Sequence, residues 1–214
     1  MNTGKVYKRI LIYGDSLVFG KVGGKNERFL AEDRLTGILQ STLGPDVEII
    51  ESGLRGRMLS GENYFFAERD GLMQFGPTIG SQLPVDFIVI ILGSNDANAK
   101  GDKNEEQIFQ TLNKYMEKLK EWVQFLDVKT PEIIIGIPPK IDTSSYDDGA
   151  RAIFGEDAPK KLSLIQDSIR SWCISNSISY LEMSKVCDPG KGDGIHLDRI
   201  GNQKVAKALA ELIG

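Results

Sequence analysis

The chain carries one histidine, His196, three residues after Asp193 in the segment Asp193-Gly194-Ile195-His196. A carboxylate at that spacing can fold back onto one ring nitrogen and fix the tautomer. The other ring nitrogen is then a base for a hydroxyl, and serine is a weak nucleophile without such a base. Ser16 offers that hydroxyl. It follows the apolar run Ile10-Leu11-Ile12-Tyr13 and the turn residues Gly14 and Asp15. A short β-branched run stopped by Gly-Asp-Ser reads as a buried strand entering a tight turn. A tetrahedral oxyanion would also need donors, and three residues qualify: the N–H of Ser16, the N–H of Gly53 and the side-chain amide of Asn95. Each of these has a plainer reading. Ser16 suits a turn or helix cap, a lone histidine is usually structural, Gly53 suits a simple turn, and Asn95-Asp96 suits a cap or Asx turn.

The elements between them weigh against coincidence. Apolar residues Ala31, Leu35, Ile38, Leu39 and Leu43 mark one helix face within residues 29–43, closed by Gly44-Pro45. Val47, Ile49 and Ile50 read as a second strand that stops at Ser52-Gly53. Residues 54–83 suggest a long loop and one modest helix ending before Pro84. Phe87 to Leu92 is continuously apolar, as a central parallel strand covered on both faces must be, and it ends in Gly93-Ser94-Asn95-Asp96. Glu105 to Leu126 repeats Ile108, Leu112, Met116, Leu119, Val123 and Leu126 at helical spacing. Ile133 to Ile137 gives a fourth strand, and residues 138–158 a long loop with a short helical piece. A helix carrying Leu162, Ile165, Ile169 and Trp172 follows, then a short strand from Ile178 to Leu181. The last helix is expected to turn Val205, Ala208, Leu209 and Leu212 inward. Alternating strands and helices predict a single α/β domain over residues 1–214, with a five-stranded, mostly parallel sheet and helices on both faces. In such a sheet the strand C-termini share one edge, where ligands bind. Ser16, Gly53, Asn95, Asp193 and His196 all fall beyond strand ends, so residues far apart in sequence converge there.

Composition narrows the function. The 214 residues carry a net charge of −4 with no long basic stretch, which argues against nucleic acid or an anionic membrane surface as partner. No apolar run approaches the roughly 18 residues of a membrane span. Lys5, Lys8 and Arg9 precede an apolar stretch too short for a secretory signal, so the expected location is the cytoplasm. Cys173 and Cys187 are too few for a disulfide framework or a zinc site and are expected as free thiols. A phosphate-binding loop ending at Gly24-Lys25 fails, because Phe19 and Asn26 occupy its required glycine and hydroxyl positions. Gly20, Gly23 and Gly24 are then expected to form a flexible rim. Asp142, Asp147 and Asp148 lack metal-loop spacing and read as a solvated loop. No cofactor is expected.

Gly14-Asp15-Ser16-Leu17, Gly53, Gly93-Ser94-Asn95-Asp96 and Asp193-Gly194-Ile195-His196 resemble the four blocks of the SGNH (GDSL-type) hydrolases, in that family's order. The resemblance implies a flavodoxin-like three-layer α/β/α fold. It implies Ser16 as nucleophile, His196 as base, Asp193 as its orienter, and Ser16, Gly53 and Asn95 as the oxyanion hole. Gly53-Leu54-Arg55-Gly56-Arg57 and Leu83-Pro84-Val85-Asp86 are similar to the arylesterase and acyltransferase branch. Gly201-Asn202 departs from the Gly-His of many members, past the catalytic block.

The expected activity is hydrolysis of a small ester, with short acetyl-type acyl groups, through an acyl-enzyme on Ser16. Three other readings remain open at this stage: acyl transfer, a thioesterase or lysophospholipase with the same triad, and a non-catalytic ligand-binding module. Arg55 and Arg57 could contact a substrate anion, although surface ion pairs are the favoured reading. Tyr64-Phe65-Phe66 is expected in the core, with a subunit contact, and so a homo-oligomer, as the alternative.

Overall fold

Five short apolar segments pair side by side in the computed structural model, which describes residues 7–214. Lys5 lies outside the described residues. The strands are β1 (Lys8–Gly14), β2 (Val47–Gly53), β3 (Phe87–Ile91), β4 (Glu132–Ile137) and β5 (Ser179–Glu182). Their order is β2-β1-β3-β4-β5 and every pairing is parallel, where the sequence suggested a mostly parallel sheet. The register sets Gly14 opposite Gly53 on one side and Ile91 on the other.

Successive strand residues face opposite sides, and both sides are covered. Leu11, Tyr13, Ile88, Ile90, Ile135 and Ile137 pack under α3 (Gly71–Gln82), α4 (Glu105–Leu126) and α6 (Ala158–Ser175). Ile10, Ile12, Val89, Ile91 and Ile134 pack under α1 (Ser16–Phe19), α2 (Leu35–Leu43) and α7 (Arg199–Ile213). Each fully buried side chain of this size contributes about 1.5–3 kcal/mol relative to exposure. Helix α4 matches its sequence pattern to the residue, started by an Asn104–Gln107 capping box. Among the described residues, no helix is long and apolar enough to cross a membrane.

Three expectations change. The helical face read within residues 29–43 is broken, because Arg34 is extended; Ala31–Asp33 forms a separate 3₁₀ turn. That turn folds onto Gly37, where a Cβ would stand 1.9 Å from the Ala31 carbonyl oxygen. In α7 the inward stripe is Val205, Ala206, Leu209 and Ile213; Ala208 is half-buried and Leu212 exposed. Val205, Leu209 and Ile213 repeat at four residues and follow one ridge, which leaves Leu212 off the seam. Tyr64 and Phe66 are exposed rather than core, at 64% and 41%. Their segment forms no regular helix or strand, only isolated bridges such as Asn63 with Phe66, so nothing folds the rings back onto the sheet.

The loop read over residues 138–158 contains a 3₁₀ turn at Thr143–Ser145 and the short helix α5 (Asp148–Phe154). Asp147 caps α5, and Asp142 accepts hydrogen bonds from Ser144 and Ser145. Cys173 is buried and Cys187 half-buried, both as free thiols.

Candidate active site

The site begins where β1 can go no further. Gly14 fits because a Cβ there would stand 2.5 Å from the Ile91 carbonyl oxygen on β3. Asp15 then caps α1, its Oδ1 accepting from the N–H of Leu17 at 2.9 Å. Ser16 is the first residue of that one-turn helix, fixed at the C-terminal edge of the sheet. Its N–H has no partner among the described residues.

Asp193 and His196 come from a turn that closes on itself. The N–H of Gly190 donates to the His196 carbonyl at 2.7 Å, and the N–H of Gly194 donates to the Gly190 carbonyl at 3.1 Å. Within it, Asp193 Oδ1 accepts from the N–H groups of Ile195 and His196 at 3.1 and 3.0 Å. Asp193 Oδ2 accepts from the N–H of Gly24 at 3.1 Å and stands 3.6 Å from Lys21 Nζ. The glycine segment after α1, expected as a flexible rim, therefore braces the carboxylate. At Gly23 a Cβ would crowd Asp193 Oδ1 at 3.0 Å.

These bonds aim one side chain at the next. Asp193 Oδ2 lies 2.6 Å from His196 Nδ1, and His196 Nε2 lies 2.8 Å from Ser16 Oγ. With Nδ1 protonated towards the carboxylate, Nε2 presents its lone pair to the serine hydroxyl. All three residues are buried: Ser16 is 7%, Asp193 2% and His196 8% exposed. Burial alone would oppose ionisation of Asp193. The hydrogen bond and charge of His196, with the backbone N–H groups of His196 and Ile195, outweigh it and hold the carboxyl well below its usual range.

Of the three residues expected to supply oxyanion donors, Ser16 and Asn95 line the cavity and Gly53 does not. Leu54 donates its N–H to the Gly14 carbonyl, which in a parallel pairing turns the N–H of Gly53 away from β1. Gly53 is instead packed on α1, where a Cβ would stand 2.2 Å from the Phe19 nitrogen. Gly56, three residues on, lines the cavity in front of Ser16, with φ +77° and an N–H that has no partner among the described residues. Asn95 also lines the cavity. Its amide nitrogen donates to Asp15 Oδ2 at 3.2 Å and to the Arg57 carbonyl at 3.1 Å.

Arg57 is buried, and among the described residues it has no ion-pair partner. It is 6% exposed and its Nη1 donates to the carbonyls of Gly14 and Ser52 at 2.8 and 2.6 Å, closing the ends of β1 and β2. Its guanidinium lies over the Tyr13 ring at 4.1 Å, and burial lowers its pKa. Among the described residues Arg55 has no ion-pair partner either; its Nη1 donates to Asn26 Oδ1 at 2.6 Å.

The GDSL-like lipase/acylhydrolase family model matches residues 10–209. The chain belongs to that family. It is an ester hydrolase of the GDSL type. No curated protein shows a significant match. Solved structures match over nearly the full length. A Mycobacterium smegmatis aryl esterase has a TM-score of 0.88 at 24% identity, over 96% of this chain and 98% of that one. Est24, a carbohydrate acetylesterase from Sinorhizobium meliloti, has a TM-score of 0.87 at 22% identity, over 96% of this chain and 98% of Est24. A carbohydrate acetylesterase family member from the same organism has a TM-score of 0.82 at 25% identity, over 96% and 97%.

In this acylhydrolase the cavity before Ser16 measures about 330 Å³, at the small end for ligand pockets. Ser16, Asn95, His196 and Gly56 form its floor; Phe66, Ile153 and Phe154 supply apolar wall; Lys21, Asn26, Arg55 and Arg69 supply polar wall. Sequence reasoning missed Gly56, Lys21, Asn26, Arg69, Ile153 and Phe154. The glycine signal at position 56 was present, but it stood beside Gly53. Lys21, Asn26 and Arg69 come from loops, and Ile153 and Phe154 from the end of α5, whose approach to the site no local pattern encodes.

Proposed function

We propose that this acylhydrolase cleaves small, short-chain acyl esters through an acyl-enzyme on Ser16. The observation that carries the reading is the continuous chain Asp193–His196–Ser16, at 2.6 and 2.8 Å, on the floor of a cavity of about 330 Å³. His196 Nε2 takes the Ser16 proton as Oγ attacks the ester carbonyl, and Asp193 stabilises the imidazolium that forms. The N–H groups of Ser16 and Gly56 and the Asn95 amide receive the oxyanion. A developing oxyanion is a stronger acceptor than a neutral carbonyl, so it competes for the amide hydrogen that Arg57 holds at rest. The imidazolium then protonates the leaving alcohol. Water, deprotonated by His196, attacks the acyl-enzyme and releases the acid.

Support for short acyl groups comes from the modest volume and from the close wall of Phe66, Ile153 and Phe154. The aryl esterase and carbohydrate acetylesterases of like fold accord with it. Ser16→Ala should abolish p-nitrophenyl acetate hydrolysis and labelling by a fluorophosphonate, with an unchanged melting profile. A folded variant with wild-type turnover sinks the assignment. An acyl series from acetyl to octanoyl should show kcat/KM falling with length; a maximum at octanoyl would refute the short-chain reading.

A further inference from the structure

The cavity wall is electrically one-sided. Lys21, Arg55 and Arg69 line it, and among the described residues no aspartate or glutamate does, although the whole chain carries a net charge of −4. Lys21 is balanced by Asp193. The two guanidiniums are not balanced. Arg55 donates through Nη1 to Asn26 Oδ1, and its cation lies over the Phe19 ring at 5.6 Å. Arg69 donates Nε to the Arg55 carbonyl and Nη1 to the carbonyls of Ala67 and Glu68. Neither has a carboxylate partner among the described residues. The bond from Arg69 to the Arg55 backbone ties the two together, one residue before the Gly56 donor. Elsewhere on the same side, Arg28 and Arg34 are both satisfied by Glu51. Arg55 and Arg69, by contrast, line the same cavity as Ser16 with no such partner among the described residues.

We propose that the ester this enzyme is built for carries an anionic group, a carboxylate, which Arg55 and Arg69 receive at the cavity wall. This rests on the serine-esterase reading and names its substrate class. Guanidinium groups suit planar oxyanions because two parallel N–H bonds match the carboxylate geometry. Cavity walls of one sign also raise the local concentration of an oppositely charged substrate. The carboxylate can belong to the alcohol half or to the acyl half; the shared chemistry is an anion within reach of both arginines.

The test compares matched esters that differ only in charge. For the alcohol half the pair is 4-acetoxybenzoate and its methyl ester. For the acyl half it is mono-4-nitrophenyl adipate and the methyl-capped diester. Each kcat/KM is normalised to the ester's hydroxide-catalysed rate. One anionic member should exceed its neutral counterpart by about tenfold or more, as expected of charge-assisted bonds, and which pair does so identifies the half. The preference should shrink between 50 mM and 500 mM salt. Arg55→Gln should collapse the anionic-to-neutral ratio towards one, while Arg55→Lys should keep part of it. Wild-type enzyme that hydrolyses the neutral esters with no preference for either anion overturns the proposal. So does a preference that survives Arg55→Gln and Arg69→Gln alike. Failure on all four esters with no fluorophosphonate labelling would overturn the esterase reading itself, a distinct outcome.

Discussion

Replacing Asp193 by asparagine changes one oxygen and tests how the base is held. Asp193 Oδ1 accepts two backbone N–H groups at 3.1 and 3.0 Å, and Oδ2 accepts His196 Nδ1 at 2.6 Å and Gly24 N–H at 3.1 Å, with Lys21 Nζ at 3.6 Å. An asparagine has only one acceptor oxygen for these donors. If that oxygen stays with the backbone pair, the NH₂ faces the ring and donates to Nδ1. The imidazole then carries its proton on Nε2 and cannot deprotonate Ser16. A wrong tautomer of this kind costs about 10⁴ in kcat, or roughly 5.5 kcal/mol. If the amide flips, the tautomer survives, but the buried N–H groups of Ile195 and His196 lose their acceptor. Each orphaned group costs about 1–3 kcal/mol of stability. Initial rates on p-nitrophenyl acetate and a urea titration separate the two. The tautomer argument predicts a fall of about 10⁴ in kcat with KM nearly constant. A variant as stable as wild type and within tenfold of its kcat would refute both branches, and with them the idea that this carboxylate orients the base.

Asn95→Ala should lower kcat by about 10²–10³ while leaving Ser16 reactive to a fluorophosphonate, since one oxyanion donor is lost and the nucleophile is not; steady-state kinetics with active-site titration check it. Arg57→Met should destabilise the protein by about 1–3 kcal/mol in urea unfolding, because the Gly14 and Ser52 carbonyls lose a charged donor. Stability should fall between pH 4 and pH 8, by up to about 4 kcal/mol, because burial pushes the Asp15 carboxyl up to about 7 from 3.8. Over that window the folded chain holds a proton that the unfolded chain has lost, so raising pH favours unfolding; Asp193, depressed instead, acts only at lower pH. Urea midpoints at pH 5 and pH 8 measure it, and a higher midpoint at pH 8 would contradict it.

What could be read from sequence was what is local. Ile10 to Ser16 declares its strand and turn within seven residues, and Asp193 meets His196 across three. Helix α4 is legible because its apolar stripe and its cap lie in one continuous stretch. Gly53 and Gly56 could not be told apart. The hydrophobic pattern shows that β2 ends near Ser52, but only the pairing of Gly53 with Gly14 decides which amide turns away. Arg57 was illegible for a different reason. Arginine is ordinarily exposed, and what buries this one is the meeting of two strand-end carbonyls with the Tyr13 ring. Phe66 reads as core from its hydrophobicity alone, but it is 41% exposed and lines the cavity.

Three buried carboxyls surround the nucleophile, and their environments give them different work. Asp15 is adjacent to Ser16 in sequence and wholly buried, and burial outweighs the backbone N–H groups of Leu17 and of Asp15 itself and the charge of Arg57, so its pKa rises. Asp96 is raised by burial too, against the pull of Lys103 at 2.7 Å and the Leu59 N–H. Asp193 shifts the other way: the hydrogen bond and charge of His196, with the backbone N–H groups of His196 and Ile195, outweigh burial and hold its carboxyl well below the usual range. A carboxylate that is already charged can stabilise an imidazolium without a proton rearrangement, and Asp193 is the one of the three that bonds the His196 ring, at 2.6 Å. The same reasoning assigns Asp15 and Asp96 to structure: one holds Asn95, the other holds the Leu59 backbone and Lys103. What sets Asp193 apart is its bond to the His196 ring, and not its place in the sequence relative to the serine.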